Sequence, residues 1–403
     1  MMFKYTGLLF CFCLFLIQPS SAQSTFKVTI QVGKLPASHA DSEIYVTGSF
    51  NGWNPKQRHV NKTEDTGLGG DVVLEGVKAG LLEFKFTRGD WQSLECTAMG
   101  TLVAPRRAII HQDTVIQVDI NGWRDDFPAS TASPQVHLLD SAFYIRQLGV
   151  HRPVWIYLPK DYAYSETRYP VIYMHDGQDL FDESTSQGRI GPLEWGVDEA
   201  IDLHSVPAIV VAVAHAESKD DRQNEYFVSP NTRFPNAQGA DYLDFIVKDL
   251  KPYIDSHYRT LPDKRHTAMA GSSVGGLLSF YGGLRYPDIF GSLGVFSPSV
   301  WLDEGHIQEV IAQLTPSSAR AGQRYYFYAG GNENRVKPDG STVTMHKDVL
   351  QVTDMLKEKS NPHITISINP EGRHGAWYWH QAFPAFYDWW QRPLSNTISH
   401  IFK

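Results

Sequence analysis

The 403-residue sequence predicts an α/β fold, a mostly parallel central sheet covered by helices on both faces, preceded by a small antiparallel β-sandwich. Three observations predict it. Short alternating apolar runs fill the stretch from Phe26 to about Ile120, and from about Gln135 onward apolar strands alternate with longer helical segments. Within that second stretch, "HTAMAGSSVGGLLSFYGG" (266–283) packs two serines between glycines where a strand gives way to a helix. With 42% hydrophobic and 20% charged residues, the chain has apolar material for a sizeable core and for two domains. A net charge of −8 argues against nucleic acid as a partner, because phosphate binding needs a basic surface. No long stretch combines low hydrophobicity with high charge, the composition of a disordered segment.

Residues 1–22 read as a signal peptide: Lys4 precedes the apolar run "GLLFCFCLFLI", and "SSA" at 20–22 supplies small residues for cleavage. The run is too short to span a bilayer comfortably, and no second run of about 18 apolar residues follows. The expectation is an exported chain beginning near Gln23, secreted or periplasmic, with no membrane attachment after cleavage and no cysteine at the cleavage point to carry a lipid. Cys11 and Cys13 leave with the leader, so Cys96 stands alone and is expected to be a small buried hydrophobe.

Residues 23–122 form the predicted β-sandwich, through "FKVTIQV", "EIYVTGSF", "DVVLEGV", "LEFKFTRG" and "TVIQVDI", separated by Gly, Asn, Asp and Pro. Residues 123–134 are polar with two prolines and read as a linker. The α/β region covers 135–393, leaving a short tail at 394–403. Its strands are "VWIYLP", "PVIYMHDG", "AIVVAVAH", "HTAMAGSS", "GSLGVFSP", "RYYFYAGG" and "HITISINP". Between them Leu243, Ile246, Val247 and Leu250 recur at helical spacing, as do Val349, Val352 and Leu356. Ligands of such sheets bind beyond the carboxyl ends of the strands, where the polar and small residues of these runs cluster.

"GSSVG" at 271–275 fits GxSxG with Ser273 at its centre, the arrangement of a strand–nucleophile–helix turn. Gly271 and Gly275 remove side chains where strand and helix nearly touch, and Ser272 is the variable neighbour. A serine hydroxyl is a poor nucleophile until a base takes its proton. On this kind of sheet the acid and then the histidine follow the serine in sequence. His374, in the loop "NPEGRHGAWYW" after the last strand and beside Gly372 and Gly375, meets that requirement. His363 begins the strand, His346 lies in a predicted helix and His380 is a turn and a half into the final helix. In "GGNENRVKPDG" Glu333 comes first after its strand as the acid, with Asp339, inside a turn sequence, second. An oxyanion hole needs two backbone N–H groups. Val274, after the serine, supplies one, and the "HDGQ" loop supplies the other from Gly177 or, favoured, Gln178.

At these residues the chain resembles a known family. "YPVIYMHDGQDLFD", "LEWGVDEAID", "RQNEYFVSP", "AGSSVGGLLSFYGGLRYPDIFGSLGVFSPSVW" and "GRHGAWYWHQAFP" are similar to the esterase D type of esterases, which includes feruloyl, acyl-sugar and enterochelin esterases. The resemblance covers roughly 135–393 and implies an α/β-hydrolase fold, ester hydrolysis with no cofactor or metal, and triad roles for Ser273, Glu333 and His374. The first region is similar to immunoglobulin-like starch- and glycogen-binding modules, through "EIYVTGSFNGWNP" and "LEFKFTRGDWQSLEC". That likeness implies carbohydrate binding by Trp53, Lys85 and Trp91, since an aromatic face is an apolar platform for a sugar ring. Enterochelin esterases also carry a β-sandwich in front, as a wall of the active site, so glucan binding and a wall stand as alternatives.

Trp195, Trp301 and Trp377, with Tyr378 and Trp379, cluster on loops and helix starts predicted near Ser273 and suit an aromatic acyl group or a sugar ring. Trp377 and Trp379 point different ways on a helix, so they cannot both line a site. Arg222 and Glu225 read as a loop-bracing ion pair, with contact to a polar substrate as the alternative. The sequence therefore predicts an exported serine esterase acting on ester-bearing carbohydrate, feruloyl or acetyl. The alternatives are a periplasmic siderophore esterase, for which basic residues beside the triad would speak, and a non-catalytic glycan-binding protein, in which Ser273 and His374 would stand apart.

Overall fold

The computed structural model describes residues 24–39, 41–60, 69–186, 191, 193–315, 320, 322–337, 340–360 and 362–392. The expected signal peptide, the whole of the expected tail and the alternative acid Asp339 lie outside them. The described chain divides into two units, one ending at Asp126 and the other beginning at Phe127.

In the first unit, alternation becomes strands packed around one core. Thr25–Val32 pairs antiparallel with Gly70–Lys78, and a second sheet sets Tyr45–Gly48 beside Gly80–Thr87 and then Arg106–Ile110. Val28, Ile30, Leu74, Phe84, Phe86 and Ile110 are buried between them. Two expectations change. The sandwich is not wholly antiparallel, because Thr25–Val32 pairs in parallel with Thr114–Val118. The linker does not begin at residue 123: Gly122 and Trp123 pair with Cys96 and Glu95, and Trp123 is buried in the core. Cys96 is buried.

The second unit is built on an eight-stranded sheet. Its strands are β1 (Val136–Ile145), β2 (Val150–Tyr157), β3 (Val171–Met174), β4 (Ile209–Val213), β5 (Thr267–Ser272), β6 (Ser292–Phe296), β7 (Arg324–Gly330) and β8 (His363–Asn369). They run in the order β1-β2-β4-β3-β5-β6-β7-β8, antiparallel at β1/β2 and β2/β4 and parallel from β4 onward. This is an α/β-hydrolase fold. β1 was not among the expected strands. It is an edge strand, mostly exposed, and two irregularities in its pairing break the alternation that would have marked it.

The central strands are buried on both faces, so their sequences read as continuous apolar runs. One face carries Tyr173, Val211, Met269, Leu293 and Phe327, packed against the helical segment 239–257, α1 (Val274–Arg285) and α2 (Met345–Ser360). Of the helical-spacing residues, Leu243, Ile246, Leu250, Val349, Val352 and Leu356 are buried there. The opposite face carries Ile172, Met174, Val210 and Ala270 against Val197, Ile201 and the aromatic α3 (Ala376–Gln391). The pairs Met174 with Ala270, Phe296 with Tyr328 and Gly330 with Asn369 bring the carboxyl ends of the parallel strands to one edge. Every loop that carries a candidate catalytic residue leaves from that edge. Among the described residues, no helix is long and apolar enough to cross a membrane.

Candidate active site

Ser273 sits between β5 and α1 with φ 58° and ψ −121°, a left-handed conformation rare for a residue with a side chain. Such a turn demands close backbone approach. A Cβ on Gly271 would come within 2.8 Å of the Gly275 carbonyl oxygen, and one on Gly276 within 2.6 Å of the Phe296 carbonyl oxygen. The serine is anchored by its own N–H, which donates to Phe296 O at 2.9 Å. Its carbonyl accepts from Ser299 N–H at 3.0 Å. The hydroxyl then stands between two partners, His374 Nε2 at 3.0 Å and Ser299 Oγ at 3.1 Å. With Ser299 donating to Ser273 Oγ, the serine proton is directed at the imidazole.

His374 reaches this position because the loops after β7 and β8 interlock. Gly331 N–H donates to Asn369 O and Asn332 N–H to Gly372 O, at 2.7 and 2.9 Å. A Cβ on Gly330 would lie 2.4 Å from Gly372 backbone, so this crossing requires glycine. The same crossing puts Glu333, fully buried, behind the histidine, with Oε2 3.6 Å from His374 Nδ1. That separation is longer than a hydrogen bond; closing it by about 0.5 Å gives a charge-assisted one. The other carboxylate oxygen is firmly held, accepting from Ser297 Oγ at 2.6 Å and from Gly330 N–H at 3.1 Å.

Two contributors were not assigned site roles from sequence, Ser297 and Ser299, and Trp379, expected only as one of an aromatic cluster for substrate, instead positions the histidine. The serines flank Pro298 just past β6, and no spacing rule marks them. Trp379 Nε1–H donates to Ser297 Oγ at 3.0 Å, and its ring stands edge-on to His374 at 5.1 Å and 87°. The indole therefore orients the imidazole and, through Ser297, the carboxylate. Burial pulls the His374 pKa below its ordinary 6.5; Glu333 pulls the other way, and the charges of Arg335 and Arg222 add to the depression.

On the other side of Ser273, Gly177–Asp179 makes a tight turn after β3. Gln178 is buried there; its side-chain oxygen accepts from His215 N–H at 3.0 Å, which fixes the turn. Val274 opens α1, where first-turn N–H groups have no intrahelical acceptor. Asp176, at φ 60°, is clamped by Arg222 through two bonds of 2.6 and 2.7 Å. Burial opposes the Asp176 charge and Arg222 outweighs it, so the carboxyl titrates below its ordinary value. The expected Arg222–Glu225 pair does not form: Glu225 pairs with Arg152, and Arg222 braces the turn next to Gln178. His175 is buried and its pKa falls to about 4, so it is neutral.

The three tryptophans expected to bind substrate fare differently. Trp195 is 3% exposed and packs its ring on Phe296, Trp379 and Phe383, which makes it core. Trp377 is half-buried and stacks on His380, turned away from the indole that touches His374. Trp301 is half-buried two residues after Ser299. In the first unit, Trp53 and Trp91 are half-buried, but Lys85, in the middle of its sheet, is 1% exposed. Its ammonium is therefore not a surface contact for sugar hydroxyls, which corrects that expectation.

A family model described as "Esterase: Putative esterase" matches residues 145–388. The protein YbbA of Bacillus subtilis is 28% identical over 255 residues, covering 62% of this chain and 96% of that protein. An endo-1,4-beta-xylanase/feruloyl esterase of Xylanibacter ruminicola is 26% identical over 167 residues, covering 40% of this chain and 22% of that protein. The ferri-bacillibactin esterase BesA of Bacillus subtilis is 30% identical over 149 residues, covering 33% of this chain and 48% of that protein.

Proposed function

We propose that this chain, which belongs to the esterase family whose model it matches over residues 145–388, is an exported serine esterase that cleaves feruloyl or acetyl esters of carbohydrates. One observation carries the chemistry: a left-handed Ser273 whose hydroxyl lies 3.0 Å from His374 Nε2. In this reading Ser273 Oγ attacks the ester carbonyl carbon while its proton passes to His374 Nε2, and the negative charge on the carbonyl oxygen is met by the N–H groups of Gln178 and Val274. His374 returns the proton to the departing sugar hydroxyl, leaving an acyl group on Ser273. Water, deprotonated by the same imidazole, then attacks the acyl carbon; the bond to Ser273 Oγ breaks, His374 passes the proton to that oxygen, and the acid is freed. Glu333 holds the Nδ1 proton and stabilises the imidazolium. The 3.0 Å contact counts against the non-catalytic alternative, which needed Ser273 and His374 apart.

The carbohydrate assignment is supported by the xylanase/feruloyl esterase relative and by half-buried Trp301 close to Ser299. Export rests on the leader-like residues 1–22. A siderophore substrate is the second reading, favoured by one feature besides the BesA likeness: Arg335, two residues after Glu333, is close enough to act on His374 and would attract an anionic iron complex. The test is steady-state hydrolysis of feruloylated and acetylated oligosaccharides beside a catecholate trilactone. A kcat/KM highest on the sugar esters supports the proposal; preference for the trilactone overturns it in favour of the second reading.

A further inference from the structure

The "LEWGVDEAID" stretch contributes nothing to the ester chemistry, yet it gathers three carboxylates. The ligand-capable atoms of Glu194, Asp198 and Glu199 lie within 4.8 Å of one another. Glu194 is 6% exposed and Asp198 fully buried, while Glu199 opens to solvent. Each buried carboxylate has one oxygen held by its surroundings: Glu194 Oε1 accepts from Thr131 Oγ1 at 2.6 Å and Asp198 Oδ2 from Ser133 N–H at 2.8 Å. Each also has one oxygen with no hydrogen-bond partner, Glu194 Oε2 and Asp198 Oδ1, and the buried hydroxyl of Ser133 has none either. Two buried carboxylates with unsatisfied oxygens facing a third are costly unless positive charge is supplied.

We propose that Glu194, Asp198 and Glu199 bind one calcium ion. All the donors are oxygens, the set that a hard cation takes, and neither histidine nor cysteine belongs to the cluster. Calcium–oxygen distances of about 2.3–2.6 Å allow ligands to be up to about 5 Å apart across the shell, which accommodates this group, whereas the shorter bonds of magnesium do not span it as readily. The ion has a structural purpose. Trp195 N–H donates to Asp179 O and Val197 N–H to Leu180 O, at 2.9 and 3.1 Å, so the segment carrying the carboxylates is tied to the turn that holds Gln178. Calcium would fix this turn from a site that touches no reacting atom.

The test is equilibrium dialysis of the chelator-stripped full chain against millimolar calcium, beside thermal unfolding. One bound calcium per chain is expected, with a melting temperature higher by about 5–10 °C at a hundredfold excess over Kd. Asp198→Asn and Glu199→Gln should each weaken binding by roughly tenfold or more. Because Glu199 is exposed, its variant keeps the fold, verified by an unchanged circular dichroism spectrum. No retained calcium, or equal binding by both variants, overturns the proposal. So does a stripped wild type that matches the melting temperature of its calcium-loaded form. Ser273→Ala protein dialysed in parallel should bind calcium as the wild type does, so failure of this site and failure of the esterase reading are separate results.

Discussion

Both units of the chain carry sequence signals, stronger in the second than in the first, and these signals predict position with very different success. In the second unit, GxSxG, the loop histidine and the post-strand glutamate line up, 3.0 Å from serine to histidine and 3.6 Å from histidine to acid. In the first unit, Trp53, Lys85 and Trp91 resemble a sugar platform, yet Lys85 is buried in its sheet. The difference is one of constraint. A residue just past the end of a parallel strand has its direction set by the strand, and at Ser273 also by a turn that only glycine neighbours permit. A strand residue such as Lys85 alternates faces with its neighbours, and a resemblance matched only approximately does not fix which face it takes.

The largest expected effect tests the constrained side of that contrast. Ser273→Ala should lower kcat on a short-chain aryl ester by about 10⁵–10⁶-fold, because the serine and histidine act as a unit. Ser272→Ala, whose hydroxyl is in buried strand and away from His374, should keep most activity. If the two variants exchanged behaviour, the strand-end argument would fail at its strongest point.

Next in size is the acid. Glu333→Gln keeps the side-chain shape and the bonds to Oε1 but removes the charge behind His374; a loss of about 10³–10⁴-fold in kcat is expected. The pH profile carries its own signature. His374 must be neutral to accept the Ser273 proton, so the rate rises with pH through its folded pKa. Burial depresses this pKa, so the midpoint of the acid limb should fall below 6.5. Loss of Glu333, which pulls the pKa upward, should move that midpoint lower still. A midpoint above 6.5 in the wild type would show that desolvation does not dominate.

The same reasoning marks what sequence could convey. Ser273, His374 and Glu333 were legible because each follows a strand and their order in the chain is fixed by the sheet order. Ser297, Ser299 and the positioning role of Trp379 were not, since these roles arise only when β6, the β7 loop and α3 meet. Trp195 misled because an aromatic residue near a site looks the same in sequence whether it faces substrate or core. β1 escaped notice because exposure and pairing irregularities erased its period. The carboxylate cluster is likewise non-local, since Glu194 and Asp198 are held by Thr131 and Ser133, some sixty positions earlier.

Trp379 offers a smaller, sharper test of positioning. Trp379→Phe keeps an aromatic ring against His374 and deletes the Nε1–H bond to Ser297. Removal of one such bond is worth about 0.5–1.5 kcal/mol, so a fall of roughly two- to tenfold is expected, in kcat with KM unchanged. A purely structural indole would instead lower the melting temperature and leave kcat alone.

The smallest effect on turnover is expected from the first unit, and it decides what that unit's signals mean. Trp53 and Trp91 are half-buried, so each has ring surface left to offer. If they stack on sugar, Trp53→Ala and Trp91→Ala should weaken retention on a gel-embedded glucan by roughly two- to tenfold each, from the loss of about 0.5–1.5 kcal/mol of aromatic contact. Turnover of a small soluble ester should stay the same, because no triad group is touched. Retention is read by affinity electrophoresis and turnover by initial rates on the same preparations. Unchanged retention in both variants would mean that the likeness to starch-binding modules stops at the fold. Removal of residues 23–122 then becomes the deciding measurement: a loss confined to bulky substrates would assign the unit to substrate enclosure, and no loss would leave it without a part in the esterase reaction.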